Sequence, residues 1–393
     1  MEDFDLVIVG AGSAGCIVAN QIIKNTNLKV LLVEAGPDYN KPTIKIPLGY
    51  GMTFYNKKIN WNFYTVNQKH LNNREIYYPR GKVIGGSGSI NAMIYARGLS
   101  SDYQDWNLNK NWSWKNIKET YDKLEISIND KYKNSSYEKI PVNDVSSQHH
   151  PILNSFFDAA REFKFDFNKQ LKSTIENQVG HYSINTFKGY RVSSSNAFLK
   201  PIKNNPNLTI LKNAEVLKLN LVNKKISSLK IKYNNNIITA NPKIGVILSS
   251  GSIMSPCLLL KSGIGNGREL KDLGIAVNLH SHNVGKNFQD HLGIDYLFKS
   301  FIPTLNKDLG TWAGRIKSFF KYVYNRKGPF SLSLNQGGGY ISWNSLDPYP
   351  NIQLYFNPLT YSVSYKNKRP LLKTDKFNGF IIGFNSCRPK SLG

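Results

Sequence analysis

The amino-terminal residues constrain the fold more than any other part of the chain. The stretch MEDFDLVIVGAGSAGCIVAN predicts a strand over Phe4 to Val9, then the motif Gly10-x-Gly12-x-x-Gly15, then a helix of small residues. The first glycine of such a motif permits a tight turn, the second lets backbone amides reach a pyrophosphate, and the third lets helix and strand pack closely. The helix N-terminus adds unpaired amides and a positive dipole end, so phosphate needs no basic side chain there. The motif predicts a dinucleotide-binding unit.

An acidic residue follows at the expected distance. Lys29 to Val33 predicts a second apolar strand, which ends at Glu34, about twenty residues beyond the glycines. A carboxylate at this place suits a ribose 2'-hydroxyl and repels a 2'-phosphate, so the cofactor is expected to carry an unphosphorylated adenosine ribose, as FAD and NAD do. An ordinary turn between strand and helix is the alternative, but it does not explain the turn Glu34-Ala35-Gly36-Pro37 directly after the acid.

A second glycine-rich stretch, RGKVIGGSGSINAMIYARG, runs from Arg80 to Gly98. Its glycines, at 81, 85, 86 and 88, let backbone approach a flat ligand, and Ser87, Ser89 and Asn91 offer polar contacts. We interpret the stretch as one wall of a cofactor site. The alternative is a glycine-rich turn packed on a sheet.

Composition narrows the class of protein. The 393 residues suffice for two domains or one elaborate domain, and 40% of them are hydrophobic, which supports a real core. The formal net charge is +25, but the lysines are interleaved with asparagine and isoleucine and form no dense basic helix. We therefore favour compositional bias over an anion-binding face and expect no specific nucleic-acid partner.

Targeting and redox signals are sparse. No run of eighteen apolar residues occurs, and no basic region precedes the first apolar stretch, so neither a membrane span nor a signal peptide is expected. The cysteines Cys16, Cys257 and Cys387 are odd in number and far apart, which favours a reducing compartment, cytoplasmic by default, and gives no metal-ligand spacing.

The middle of the chain contains predicted helices at 112–126 and 151–163, with a polar, turn-rich stretch at 129–147 that we expect to be mobile. From Leu208 onward, short alternating runs predict antiparallel strands, with turns at 223–224 and 234–236. Two further runs, NIQLYFNP and KFNGFIIGFNS, predict strands of a second sheet.

A second junction of strand, glycine and helix follows near residue 250. Ile244 to Leu248 is typical of a buried parallel strand, and it leads through Ser249-Ser250-Gly251-Ser252 to a helix predicted over Cys257 to Ser262. This junction is expected to return to the nucleotide-binding unit. Cys257 at the start of a helix could have a stabilised thiolate, but we favour a purely structural role.

These motifs resemble a known family. RGKVIGGSGSINAMIYARG resembles the first signature of the glucose-methanol-choline (GMC) FAD-dependent oxidoreductases, and SSGSIMSPCLLLKSGIGN resembles the second. Shorter pieces that match in order are EAGPD, WNFYT, RVSSSNAFL, LGI, NVGKNFQDH and CRPKSLG. The similarity covers essentially the whole chain and is strongest to the branch that includes choline dehydrogenases.

The resemblance implies FAD, with its adenine end at the amino-terminal glycines and its isoalloxazine against the 80–93 loop. Ile90 occupies the position at which some family members bond covalently to the flavin through histidine, so a dissociable FAD is expected. The residues that the motifs and the resemblance together assign to the cofactor are Gly10, Gly12, Ser13, Ala14, Gly15, Glu34, Ala35, Arg80, Val83, Gly85, Gly86, Ser87, Asn91, Met93 and Val216.

Family chemistry is hydride transfer from a carbinol carbon to flavin, with a histidine as proton acceptor. In the family this histidine follows the CRPxSxG element, where this sequence stops. The histidines present are His70, His149, His150, His181, His280, His282 and His291. None is assigned as the base: we expect His149 and His150 to be solvated, the 280/282 pair to be an exposed loop rather than a metal site, and His291 to have a packing role.

The resemblance therefore implies a mixed α/β (α+β overall) fold. A discontinuous Rossmann-like FAD-binding domain covers 1–150 and 190–293, and an antiparallel-sheet substrate-type domain covers 151–189 and 294–393, each incomplete. No alcohol oxidation is expected, because the family's catalytic histidine and its partner are missing. Weak or absent FAD retention is expected, because the family's last nucleotide-domain strand is also missing and leaves unpaired amides that cost about 1 to 3 kcal/mol each when buried. The alternatives are an alcohol dehydrogenase or oxidase completed by a separate fragment, and a structural or binding protein. Substrate and oligomeric state stay open.

Overall fold

The computed structural model describes residues 3–106, 110–128, 138–171, 176–344, 346–364 and 371–393. The α-helices of these residues are α1 Ser13–Asn25, α2 Pro42–Lys45, α3 Tyr50–Thr53, α4 Ser100–Asp105, α5 Trp114–Leu124, α6 Leu153–Glu162, α7 Lys200–Ile202, α8 Gly251–Lys261, α9 Gly267–Asp272, α10 Leu305–Leu309 and α11 Trp312–Asn325.

The strands, in chain order, are β1 Phe4–Val9, β2 Val30–Val33, β3 Phe63–Tyr64, β4 Tyr77–Tyr78, β5 Ile94–Tyr95, β6 Glu125–Ile128, β7 Ile140–Asn143, β8 Asp166–Gln170, β9 Gln178–His181, β10 Ser183–Ile184, β11 Thr186–Phe187, β12 Tyr190–Arg191, β13 Leu208–Leu211, β14 Ala214–Val222, β15 Lys225–Tyr233, β16 Asn236–Ala240, β17 Pro242–Leu248, β18 Ile264–Gly265, β19 Leu279–His280, β20 Gly293–Lys299, β21 Gly337–Ile341, β22 Ile352–Asn357, β23 Tyr361–Ser364, β24 Leu371–Thr374 and β25 Gly379–Ser386.

A parallel sheet organises the amino-terminal unit, with the strand order β13-β2-β1-β17 in the described part of the chain. Successive side chains of a strand point to opposite faces. Val30 and Leu32 accordingly pack with α1, whereas Leu31 and Val33 pack toward β14 and β15. The predicted strand over Phe4 to Val9 and the return of the chain near residue 250 are confirmed, because β17 lies alongside β1.

Two strand predictions were wrong in detail. Leu208–Leu211 joins the parallel sheet rather than an antiparallel one, because it pairs with β2. The strand β17 is parallel as expected but not buried, since it is the last strand of the sheet and Ile244 is 64% exposed. The antiparallel prediction holds for β14, β15 and β16, which are joined by turns at Asn223-Lys224 and Asn234-Asn235 with positive φ.

The second unit is built on a larger sheet with the order β20-β25-β22-β21-β9-β8. Its pairs are antiparallel except for β8 with β9, and both runs predicted as strands of a second sheet are present as β22 and β25. Helix α6 covers one face, where Leu153 and Phe157 pack against Val179 and Phe356. The boundaries of the two predicted domains stay a prediction.

Part of the polar stretch predicted over 129–147 forms a strand. Of the stretch expected to be mobile, residues 129–137 lie outside the described residues, and 140–143 form β7, which pairs with β6 and β10. The helix predicted over 112–126 is shorter, Trp114–Leu124, because its last residues continue into β6. Pro151 to Phe163 likewise becomes Leu153–Glu162. In the described parts of the chain, no helix is both long and apolar enough to cross a membrane.

Candidate functional site

The turn after β1 forms the base of the site. Gly10 adopts φ of +100°, and a Cβ there would lie 2.6 Å from the Ser249 carbonyl oxygen. Gly12 is different, because a Cβ there would meet no atom closer than 3.8 Å, and the residue borders the pocket together with Ser13 and Ala14 at the start of α1. The helix N-terminus and its free amides therefore face the pocket, as phosphate binding requires.

Glu34 lies at the end of β2 and is almost fully buried, with 6% of its surface exposed. Its Oε2 accepts a hydrogen bond from the Ala11 amide at 2.9 Å, and its Oε1 accepts one from the Gly36 amide at 2.9 Å. Burial raises the pKa of the carboxyl to about 7, although these two amides oppose the shift. The side chain thus ties the glycine turn to the following turn and still lines the pocket, where each oxygen retains a lone pair for a ribose hydroxyl.

The glycine-rich loop at 80–93 meets the first glycine turn directly. Gly86 adopts φ of +56°, and a Cβ there would lie 2.8 Å from the Gly12 Cα. Ser87 follows, with its Oγ accepting a hydrogen bond from the Gly81 amide at 3.0 Å. The two loops that the sequence singled out therefore form adjoining walls, and only residues without side chains allow this approach.

Arg191, which was not among the predicted site residues, holds the second loop in place. Its guanidinium donates to the Asn91 carbonyl oxygen at 2.6 Å, to Asn91 Oδ1 at 2.7 Å, and to the carbonyl oxygens of Gly88 at 3.2 Å and Ile44 at 3.1 Å. Burial lowers the pKa of Arg191 to about 9, so the group stays charged at neutral pH. The lone arginine in the run RVSSSNAFL was the only sequence signal for this role.

The junction after β17 forms a further part of the pocket wall. Helix α8 begins at Gly251, and Ser250 Oγ donates to the Val9 carbonyl oxygen at 3.0 Å, which fixes the junction beside the first turn. Pro256 lies inside α8 rather than before it. Cys257 therefore lies within the helix and not at its start, which removes the basis of the stabilised-thiolate alternative.

These elements line an open pocket of about 610 Å³. The predicted cofactor residues on its wall are Gly10, Gly12, Ser13, Ala14, Glu34, Ala35, Gly86, Ser87 and Val216. Those the structure places off its wall are Gly15 in α1, Arg80, Val83, Gly85, Asn91 and Met93. The lining residues that sequence reasoning missed include Trp61, Glu215, Ser249, Ser250 and Met254.

Three of the residues off the pocket wall, Val83, Asn91 and Met93, have visible structural roles. Val83 is fully buried in the core beneath the loop, and Met93 is 1% exposed with φ of 65°. Asn91 Oδ1 accepts from the Met93 amide at 3.0 Å as well as from Arg191. Ile90 packs against Ile44 and offers no nucleophile for a covalent flavin bond.

A glycine cradle with helix N-terminal amides, a buried acid and a pocket of this volume fit an adenine dinucleotide such as FAD. Pyrophosphate needs donors and close backbone approach, and the first turn supplies both. A ribose needs an acceptor, which Glu34 provides.

No histidine lines this pocket within the described residues. His149, expected to be solvated, is instead half-buried, with its Nδ1 2.8 Å from the Nδ1 of His181. Burial, reinforced by His181, lowers the pKa of His149 to about 3. His280, His282 and His291 are exposed, and His280 Nδ1 accepts from the Gly267 amide at 3.0 Å. In the parts of the chain that can be described, no group of three or more His, Cys, Asp or Glu side chains could hold a metal ion.

Several known proteins are similar to this chain in sequence. The chain is 36% identical to an alcohol dehydrogenase [acceptor] from Pseudomonas putida, over 99% of this chain and 71% of that protein. It is 32% identical to an oxygen-dependent choline dehydrogenase from Staphylococcus saprophyticus, over 91% of this chain and 65% of that protein. The chain thus spans about two thirds of that choline dehydrogenase.

Among solved structures, pyridoxine 4-oxidase from Mesorbium loti superposes with a TM-score of 0.83 at 25% identity, over 100% of this chain and 72% of that one. A formate oxidase gives a TM-score of 0.85 at 23% identity, over 99% of this chain and 74% of that one, which shows the fold alone. A sequence model described as GMC oxidoreductase matches residues 4–293, and this family indicates FAD as the cofactor. The chain belongs to the GMC oxidoreductase family.

Proposed function

We propose that the chain is the flavin-binding part of an FAD-dependent oxidoreductase that acts on alcohols. The observation that carries the proposal is the contact between the Gly12 turn and the Gly86 loop beside the buried Glu34, at one pocket. The adenine end would lie at Gly10, Gly12 and Glu34, near Val216, and the isoalloxazine would lie along the 80–93 loop. The relatives named as alcohol and choline dehydrogenases support alcohols as the substrate class.

When bound, FAD supplies a hydride acceptor for oxidation of a carbinol carbon. The chain's own residues bind and orient it. The amides at the start of α1 donate to the pyrophosphate, and the Glu34 carboxylate accepts from the ribose. Arg191 fixes the Asn91 amide and the backbone of the loop. Asn91 acts as a positioning residue, because its side-chain oxygen is already held by Arg191 and by the Met93 amide.

Alcohol oxidation also needs a group that takes the hydroxyl proton. The histidines of the described residues support no such group in this chain: His149 and His181 bond to each other, and none lines the pocket. Glu34 has a raised pKa, but both its oxygens hold backbone amides at the adenine end. We therefore propose that these 393 residues bind FAD and do not oxidise alcohols by themselves.

The test is expression, desalting and a fluorescence titration with FAD, followed by anaerobic addition of primary alcohols, including choline. We expect saturable FAD binding, weakened in Glu34→Ala and unchanged in the exposed-site control Glu75→Gln, and no bleaching of the flavin bands. Bleaching by an alcohol would overturn the inactive assignment. Absence of binding at saturating FAD would overturn the cofactor assignment and leave a structural role as the better hypothesis.

A second candidate is an alcohol dehydrogenase completed by a separate polypeptide. Strand β20 favours it, because among the described residues this strand is last in its sheet and its seven residues are all exposed, including Ile294, Leu297 and Phe298. An edge strand of this kind offers unpaired backbone groups to another chain. Co-expression with the product of the reading frame directly downstream tests it. Co-purification together with alcohol-dependent bleaching supports completion, whereas co-purification without bleaching, or no complex, contradicts it.

A further inference from the structure

Helix α11 packs on the rest of the chain through its small and polar side. Ser318 is 6% exposed and Tyr322 is 1% exposed. The Tyr322 hydroxyl donates to the Gly189 carbonyl oxygen at 3.0 Å, and its ring lies 6.2 Å from that of Phe330. Thr311 caps the helix by accepting from the Gly314 amide at 3.1 Å. These contacts fix which side of the helix faces the core.

The other side carries the large apolar residues and is largely exposed, with Phe319 also reaching the Phe330 ring at 5.8 Å between ring centroids. Their exposed fractions run from 44% to 94%. The set, named here the α11 apolar face, is Trp312, Ile316, Phe319, Phe320, Val323 and Tyr324. The spacing of four, three, one, three and one residues places all six on one side of the helix. A helix that only needed to cover its own core would have the reverse arrangement.

Basic residues border this face. Lys317 and Lys321 are exposed on the same helix, and Lys327 follows its end. No acidic residue occurs between Trp312 and Lys327. The long stems of lysine can lie along apolar surface while their ammonium groups reach outward. The face therefore combines aromatic and aliphatic side chains with positive charge only, which is the composition of helices that lie in a membrane interface.

We propose that the α11 apolar face docks on an anionic phospholipid bilayer, with the helix axis parallel to the surface. Aromatic side chains enter the region between headgroups and acyl chains, and Lys317 and Lys321 contact the lipid phosphates. A second copy is disfavoured as the occupant, because a two-fold interface would bring the same lysines together. The proposal does not depend on the flavin site.

Vesicle sedimentation of the purified chain tests the proposal. The probes are vesicles of phosphatidylcholine alone and vesicles of phosphatidylcholine with an equal amount of phosphatidylglycerol. We expect binding to the mixed vesicles at least ~10-fold tighter than to phosphatidylcholine alone, and weaker at high salt. No binding to the mixed vesicles would overturn the proposal.

Variants separate the apolar and electrostatic contributions. Trp312→Ser with Phe320→Ser should weaken binding to mixed vesicles by ~10-fold or more, because two aromatic rings no longer enter the bilayer. Lys317→Gln with Lys321→Gln should weaken it by roughly fivefold per lysine, on mixed vesicles only. The matched control is Leu273→Ser, which removes an apolar side chain that is 75% exposed elsewhere. All these positions are exposed, so folding should be kept, and circular dichroism checks it.

Two further outcomes would contradict the proposal. Vesicle binding that is unchanged in the double serine variant would mean that another surface binds lipid. Sedimentation velocity supplies the other outcome: a dimer that dissociates in Trp312→Ser with Phe320→Ser, together with no vesicle binding, would assign the face to a second copy.

Discussion

Replacing Glu34 by glutamine tests the central feature of the proposed cofactor site. The wild-type carboxylate accepts from two backbone amides, those of Ala11 and Gly36, at 2.9 Å each. Glutamine has one acceptor oxygen and one donor group in the same space, so one of the two amides loses its partner. That loss should destabilise the fold by about 1 to 3 kcal/mol relative to wild type at pH 4.5, where the wild-type carboxyl is still protonated in the folded state.

The wild-type group also makes stability depend on pH. Its pKa is raised from an ordinary value of 4.5 to about 7, mainly by burial, while Lys82 and the two amides oppose the shift. The folded state thus holds the proton more tightly than the unfolded state. The contribution of Glu34 to the free energy of unfolding is at its maximum below pH 4.5, falls as the pH rises, and levels off above about pH 7. At 1.36 kcal/mol per unit of pKa, the loss is on the order of 3 kcal/mol.

Urea unfolding at several values between pH 4.5 and 8 measures the effect, with wild type, Glu34→Gln and the exposed control Glu75→Gln side by side. Other titrating groups are shared, so their contributions cancel in the difference between wild type and Glu34→Gln. We expect that difference to shrink as pH rises. Coincident pH profiles, apart from a constant offset, would refute the reasoning about Glu34.

FAD titration gives a second measurement with the opposite sign. A ribose hydroxyl donates to the ionised carboxylate, so binding should strengthen as pH rises through 7. Only protein molecules with an ionised Glu34 accept the ribose hydroxyl in this way, and the apparent dissociation constant of FAD equals the intrinsic constant divided by their fraction. With a pKa of about 7 for Glu34, the apparent dissociation constant at pH 6 should be about tenfold above that at pH 8. Glu34→Gln should bind more weakly and show no such dependence.

The remaining predictions concern positioning and acid stability. Arg191→Lys should lower the free energy of unfolding by about 3 kcal/mol and weaken FAD binding, because an ammonium cannot reach the same acceptors; urea unfolding and flavin titration check both. Gly86→Ala should lower the free energy of unfolding by at least ~1 kcal/mol and disturb the pocket, because its φ is positive and its Cβ would meet the Gly12 backbone. The control Gly245→Ala, whose added Cβ meets nothing within 4 Å, should have the melting temperature of wild type. In wild type, the His149 pKa is lowered from 6.5 to about 3 in the folded state, so the stability that this group contributes is present above pH 6.5 and is lost as pH falls. The free energy of unfolding should therefore drop by on the order of 3 kcal/mol between pH 6.5 and 4, and His149→Phe should abolish that drop. Urea midpoints at both pH values test it.

Sequence reasoning succeeded where the controlling interactions are local. The strand Phe4–Val9, the turn at Gly10 and the helix Ser13–Asn25 follow from hydrophobic spacing and from backbone angles that few residues adopt. It failed where pairing over long distance decides the outcome. Leu208–Leu211 alternates like its neighbours, yet it joins β2 because that edge of the parallel sheet is available. His149 looks polar in sequence but is half-buried against a strand from another part of the chain.

The sequence by itself determined the family, the nucleotide-binding turn and the identity of the acid, because each depends on residue types at short fixed spacing. Only the tertiary structure decided that Gly86 touches Gly12, that Glu34 is held by two turns, that Arg191 anchors the loop around Asn91, and that α11 shows its apolar side outward. Those facts depend on which distant backbone segments meet. Burial, which sets both the Glu34 pKa and the outward face of α11, exists only once they have met.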